Sequence, residues 1–150
     1  MKALLQRVTE ASVSIAGEVV GRINNGLVVF LGVAAGDIEQ DVQYLVQKII
    51  NLRIFTDEQG KFNLSVTDVR GELLLVSQFT LLADARKGRR PSFTGAAPPD
   101  RAEELFNYFV EQVKASGLST ATGRFQQYMQ VEIHNDGPVT VMLDSRDRPD

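Results

Sequence analysis

The sequence predicts an α+β fold: a largely antiparallel, barrel-like sheet carrying two main helices, in one domain. Three observations lead there. Over most of the chain apolar residues either alternate with polar ones or run together for only a few positions, as strands require. Two segments instead repeat apolar residues at steps of three and four, the spacing of one helical face. These two lie between strand-like stretches, in the order strands, helix, strands, helix, strands, which favours helices packed on a single sheet. The 150 residues suit one domain with a core large enough to need no staples.

The first third reads as strands. Ala11-Ser12-Val13-Ser14-Ile15 alternates as a half-buried strand does, and Gly17 and the Asn25-Gly26 pair are hairpin signals. Residues 27–33 form a short, nearly continuous apolar run, suited to a central strand covered on both faces. Ile38, Val42, Leu45, Ile49 and Leu52 then share one helical face, with Asp37 placed to cap the first turn and Gln40 to reach back from its third position. Asp57-Glu58-Gln59-Gly60 and Gly71 mark turns, and residues 73–76 are an apolar run too short for a helix.

Residues 83–99 are the longest irregular stretch, carrying Gly88, Pro91, Gly95, Pro98 and Pro99. A second helix is expected from Asp100, with Glu103 completing a capping box, a stripe of Ala102, Leu105, Phe106, Phe109 and Val113, and a stop at Gly117. Met129, Val131 and Ile133 alternate, Asn135-Asp136-Gly137-Pro138 reads as a turn between two strands, and residues 139–143 form the last strand. The globular unit is expected to span 1–144, followed by a polar, frayed tail at 145–150.

Composition excludes several chemistries. There is no cysteine, so disulfides, thiol nucleophiles and cysteine-based zinc sites are out. The single histidine, His134, rules out a multi-histidine metal site and leaves one residue for any Ser-His-Asp relay; on an alternating apolar strand it reads as structural. No stretch approaches the roughly 20 apolar residues of a membrane span, and the amino terminus lacks a signal-peptide block, so a cytoplasmic protein is expected. A net charge of −3 argues against broad, non-specific nucleic-acid binding but leaves room for a local basic patch.

Two segments stand out chemically. Ser77-Gln78-Phe79-Thr80 places two hydroxyls and an amide at the end of an apolar strand, where main-chain N–H groups can face a developing oxyanion; an ordinary polar strand end has the same composition. Arg86, Lys87, Arg89 and Arg90 follow at once, in a loop shaped by Gly88 and Pro91. They can grip phosphates or simply be solvated. Phe79, Phe93 and Phe125 can stack on a terminal base or serve as core and rim. Pro138 sits where a cis bond costs least, about 0.5–1 kcal/mol relative to trans.

Together these segments resemble the bacterial D-aminoacyl-tRNA deacylase family over nearly the whole chain. The similarity runs through Leu5-Gln6-Arg7-Val8, Leu31-Gly32-Val33, Leu52-Arg53-Ile54-Phe55 and Gly60-Lys61 with Asn63. Its most specific parts are Val76-Ser77-Gln78-Phe79-Thr80-Leu81, Arg90-Pro91-Ser92-Phe93, Thr122-Gly123-Arg124-Phe125 and Asn135-Asp136-Gly137-Pro138-Val139-Thr140, in that order. The resemblance implies hydrolysis of the ester between a D-amino acid, or glycine, and the 3′-terminal ribose of tRNA, without metal or other cofactor. It implies a homodimer with active sites at the interface and no membrane partner. Ser77, Gln78, Phe79 and Thr80 would line the catalytic pocket, and a cis Gly137-Pro138 would select the substrate from the opposite subunit. Arg86, Lys87, Arg89 and Arg90 would meet the tRNA. The chain departs from the family at Gln126-Gln127-Tyr128, before Met129, where small residues are usual.

Overall fold

The computed structural model describes residues 1–149. It contains a six-stranded mixed sheet, nearly closed into a barrel, and two long helices. The strands are β1 (Lys2–Ile15), β2 (Glu18–Ile23), β3 (Gly26–Gly32), β6 (Glu72–Ser77), β7 (Thr120–Thr122) and β8 (Gln130–Asp144). A separate two-stranded sheet pairs β4 (Phe55–Thr56) with β5 (Phe62–Leu64). The helices are α1 (Glu39–Asn51) and α2 (Pro99–Ala115). Among the described residues no helix is long and apolar enough to cross a membrane.

The long strand β1 organises the sheet. β8 pairs antiparallel with it along one edge. On the other edge β3 pairs with its first half and β2 with its second. Gly17 turns β1 back into β2 as expected. Asn25-Gly26 does not make a hairpin. Ile23 faces Ala11 and Gly26 faces Val8, so β2 and β3 run in line past the same strand. Glu72 fixes that junction, its carboxylate accepting from the Asn24 N–H at 2.8 Å and its own N–H donating to the Asn25 carbonyl at 2.9 Å. β3–β6 and β6–β7 are parallel pairs. The helices lie in the connections that such pairs need, α1 between β3 and β6 and α2 between β6 and β7.

The expected helix stripes supply the main core. Val42, Leu45 and Ile49 of α1 and Ala102, Leu105, Phe106, Phe109 and Val113 of α2 bury against Leu5, Leu27, Val29, Leu31, Leu73 and Leu75. Ile38 lies exposed and Leu52 is half-buried, because the helix ends one residue inside each, leaving them as its two cap positions with extended backbone. The other face of the curled sheet closes a second core around Val8, Ala11, Val13, Ile23, Val28, Leu74 and Val76. β3 is therefore covered on both sides, with only Phe30 half-exposed.

Three local expectations are corrected. Asp37 does not cap α1: it pairs with the N-terminal amine at 2.9 Å and accepts from the Ala34 N–H at 2.6 Å. The helix starts at Glu39, and Asp41, rather than Gln40, reaches back to the Ile38 N–H at 2.9 Å. The amine and the Ala34 N–H together engage the Asp37 carboxylate, leaving it unavailable to the helix. α2 starts at Pro99, with no side-chain cap from Asp100 and no reach-back from Glu103, since a proline in the first turn has no N–H to satisfy. The segment after Asp144 is not frayed at its start: Ser145–Asp147 forms a 3-10 turn, and the buried Ser145 hydroxyl accepts from the N-terminal amine at 2.9 Å. Of the predicted tail, Asp150 lies outside the described residues.

Asn135-Asp136-Gly137-Pro138 also differs from expectation. β8 does not reverse there; it continues along β1, with Asn135 opposite Val8 and Thr140 opposite Gln6. Five steps along β8 thus match two along β1, and the excess is thrown outward as a bulge. The segment carries local turn chemistry, but β1 recaptures the strand on the far side.

Candidate active site

β6 ends at Ser77, and the chain enters a single 3-10 turn, Phe79–Leu82. The turn is moored on β3, where the Gln78 N–H donates to the Leu31 carbonyl at 2.8 Å. A 3-10 turn leaves its first N–H groups without intrahelical acceptors. No side chain caps this one, and among the described residues the Phe79 and Thr80 N–H groups donate to nothing. Two main-chain donors are therefore free at the strand end. The Gln78 side-chain amide donates to the Thr80 hydroxyl oxygen, fixing that side chain.

The turn borders a cleft of about 740 Å³. Ser77, Gln78 and Phe79 form one wall, Phe93, Thr94 and the start of α2 another, and Phe125 to Met129 the third; Thr80, expected in the lining, is not part of it, because the chain turns away from the cleft into the 3-10 turn after Phe79. The three phenylalanines picked out in the sequence all line it. Phe79 and Phe93 meet edge-to-face at 5.0 Å between centroids. Gln126, Gln127 and Tyr128, where the chain departs from the family pattern, lie on the rim, with Tyr128 95% exposed. No pattern in the sequence marked Val33, Ala96 and Ala97 as lining; they arrive through tertiary packing.

The basic loop stands beside this cleft. Asp84 and Ser92 exchange main-chain hydrogen bonds, both at 2.8 Å, closing the loop between them next to Phe93. Arg86 is held by Asp84 through two contacts of 2.7 and 2.9 Å, and its guanidinium keeps the Asp84 carboxyl below the usual carboxylate range. Lys87, Arg89 and Arg90 have no carboxylate within ion-pair distance among the described residues. They are exposed and uncompensated, as a phosphate-binding edge requires. A phosphate-bearing ligand held by these cations would bind more weakly after Arg89 and Arg90 are replaced with alanine, with a salt dependence flatter by about 0.7–0.9 in log–log slope per cation removed. Filter binding across a salt series reads this directly.

The Gly137-Pro138 corner stands apart from the cleft of its own chain. Its peptide bond is cis, both residues are exposed, and neither is among the cleft-lining residues. Its base is braced. The Asn135 side-chain amide donates to the Arg7 carbonyl at 2.8 Å and to the Val139 carbonyl at 3.0 Å. The Arg7 side chain, buried to 8% exposure, donates to the Ile54 carbonyl at 3.0 Å, and its Nε lies 3.1 Å from Asp136 Oδ2, at ion-pair distance but without hydrogen-bond geometry. Sequence reading passed over Arg7. The available signal was a charge in inward register with Ala3 and Leu5, a placement that requires a partner. His134 lies outside the cleft on exposed β8, its Nδ1 3.4 Å from Glu10.

Known proteins agree with this architecture. The sequence profile described as D-Tyr-tRNA(Tyr) deacylase matches residues 4–144. A D-aminoacyl-tRNA deacylase of Dehalococcoides mccartyi is 60% identical over 148 residues, covering 99% of this chain and 97% of that protein. One of Natranaerobius thermophilus is 61% identical over 146 residues, covering 97% of each. A solved c-Myc DNA unwinding element binding protein superposes with a TM-score of 0.91 at 45% identity, covering 96% of this chain and 98% of that one. A probable eukaryotic D-amino acid tRNA deacylase shares the fold, with a TM-score of 0.84 at 16% identity over 95% of this chain. On the match of profile and relatives along almost its whole length, the chain belongs to the D-Tyr-tRNA(Tyr) deacylase family.

Proposed function

We propose that the protein hydrolyses the ester joining a D-amino acid to the 3′-terminal ribose of tRNA, working in the cytoplasm as a homodimeric proofreader of translation. The observation that carries this reading is the strand end at Ser77-Gln78-Phe79-Thr80. There, the unengaged Phe79 and Thr80 N–H groups lie in the turn that borders the cleft, and the uncompensated Lys87, Arg89 and Arg90 follow in the next loop. Water adds to the ester carbonyl, the Phe79 and Thr80 N–H groups hold the oxyanion, and the ribose 3′-oxygen leaves with a proton. Free amino acid and tRNA result.

Thr80 is poorly suited to be the nucleophile. Its hydroxyl accepts from the Gln78 amide, and among the described residues no histidine or carboxylate bonds to it to take its proton. The ribose 2′-OH, adjacent to the ester, is the better activating group, which makes hydrolysis substrate-assisted. Thr80→Ala is accordingly expected to retain turnover near the parent rate in single-turnover deacylation. A loss of several orders of magnitude would instead make Thr80 the nucleophile.

The homodimer rests on two features. The Gly137-Pro138 corner is exposed and outside its own cleft, so it can act on an ester only in a second copy. In addition, Met142, Leu4 and Phe30 form a cross-strand row on the open end of the sheet, with Met142 50% exposed. Such a row favours burial against another chain. In the dimer the corner fills the space that an L side chain needs, while a D side chain points to solvent. Exclusion by clash discriminates strongly. Glycine, with no side chain to exclude, is accepted.

The similarity to a DNA unwinding element binding protein favours one other reading, nucleic-acid binding through the 86–90 loop without turnover. Incubation with D-tyrosyl-tRNA and L-tyrosyl-tRNA separates the two. D-selective ester loss is expected of the deacylase, and salt-sensitive binding with no release of either amino acid is expected of the alternative.

A further inference from the structure

The small β4–β5 sheet lies off the main sheet and contributes nothing to the cleft, yet both its strands converge on Arg7. The Ile54 carbonyl, immediately before β4, accepts from Arg7 Nη1 at 3.0 Å. From β5 the Phe62 ring covers the guanidinium, 5.7 Å from Cζ to the ring centroid. The hairpin tip is firm, because Asp57 accepts from the Gln59 and Lys61 N–H groups at 2.9 and 3.0 Å and from the Asn63 amide at 3.3 Å. The far side of the same guanidinium meets the β8 bulge. Its Nε faces Asp136, and a Cβ built on Gly137 would lie 3.1 Å from Nη2. Arg7 is thus clamped between the hairpin and the corner.

Phe62 is otherwise an anomaly, a phenylalanine 55% exposed on a three-residue strand. Its one polar engagement explains it. A buried guanidinium short of hydrogen-bond acceptors gains from the electron-rich face of an aromatic ring, and a desolvated cation gains most. We infer that Phe62 is a positioning residue for stereochemical selection: through Arg7 it fixes the height of the Gly137-Pro138 corner without touching substrate. This rests on the reading of that corner as the group that excludes L substrates.

The test uses the full chain with Phe62→Leu, which keeps apolar bulk but removes the ring face, and Phe62→Tyr, which keeps the face. Because Phe62 is exposed, neither change opens the core. Hydrolysis of D-tyrosyl-tRNA and L-tyrosyl-tRNA is measured for each, beside Gly137→Ala. Phe62→Leu is expected to lower the D-over-L preference about tenfold, through faster L-ester hydrolysis, and Phe62→Tyr to restore it. Equal changes in the D and L rates would mark Phe62 as merely structural and overturn the inference. An effect of Gly137→Ala without one from Phe62→Leu would overturn it while leaving the corner's role intact. No effect from either would remove both.

Discussion

Gly32→Ala is expected to lower kcat/KM for D-aminoacyl-tRNA by about 10- to 100-fold while the protein still folds, because Gly32 is where β3 supports the turn that carries the two donors proposed to hold the oxyanion. A Cβ at this position would stand 2.5 Å from Leu82 Cδ2, 3.0 Å from the Gln78 carbonyl oxygen and 3.0 Å from Leu81 Cβ. The leucine methyl can swing aside. The other two contacts are the frame of the 3-10 turn itself, held to β3 by the 2.8 Å bond from the Gln78 N–H to the Leu31 carbonyl. The turn must therefore lift by several tenths of an ångström, and the Phe79 and Thr80 N–H groups move with it. Misplacement on the order of 1 Å costs about a hundredfold in a positioned reaction, whereas overpacking costs about 1–3 kcal/mol of stability. Single-turnover deacylation beside a thermal melt separates the two effects. Parent-like deacylation would mean that the chemistry does not depend on this turn.

What the sequence made legible follows from how local each determinant is. The stripes of α1 and α2 were readable because 3.6-residue periodicity is written within each helix. Val42, Leu45 and Ile49, and Leu105, Phe109 and Val113, are buried as spaced. Helix starts were not, because the partner that claimed Asp37, the N-terminal amine, lies 36 residues away. Asn25-Gly26 and Asn135-Asp136-Gly137-Pro138 carry turn chemistry that a kink or a bulge satisfies as well as a hairpin does. The choice lay with β1, whose length holds both flanking segments on one edge. At the site, Ser77-Gln78-Phe79-Thr80 and the basic loop were adjacent in sequence and so found together. Phe93 and Phe125 gained their place beside Phe79 only through the fold. Arg7 shows the limit most clearly. Its inward register was visible, but Ile54, Phe62 and Asp136, the groups that justify it, come from three other elements.

Gly137→Ala should erode stereochemical selection more than it erodes the fold. The Gly137 φ of +117° lies where L residues rarely sit, at a cost of about 1–3 kcal/mol. The added Cβ would also come within 2.9 Å of Val139 Cγ2 and 3.1 Å of Arg7 Nη2. Neither neighbour can withdraw into solvent, since Val139 and Arg7 are both buried. The corner itself must change shape. The sheet need not, because the bulge is bounded by Asn135 opposite Val8 and Thr140 opposite Gln6, and those pairings lie outside the disturbed segment. L-tyrosyl-tRNA hydrolysis is therefore expected to rise until the D-over-L preference has fallen about a hundredfold, the scale of two to three kcal/mol of lost exclusion. The circular dichroism spectrum and the oligomeric state should stay those of the parent. If the oligomeric state persists, the corner is displaced and L esters are still refused, then chirality is read within the cleft at the Ser77–Phe79 strand end. The exposed corner would in that case serve assembly rather than selection.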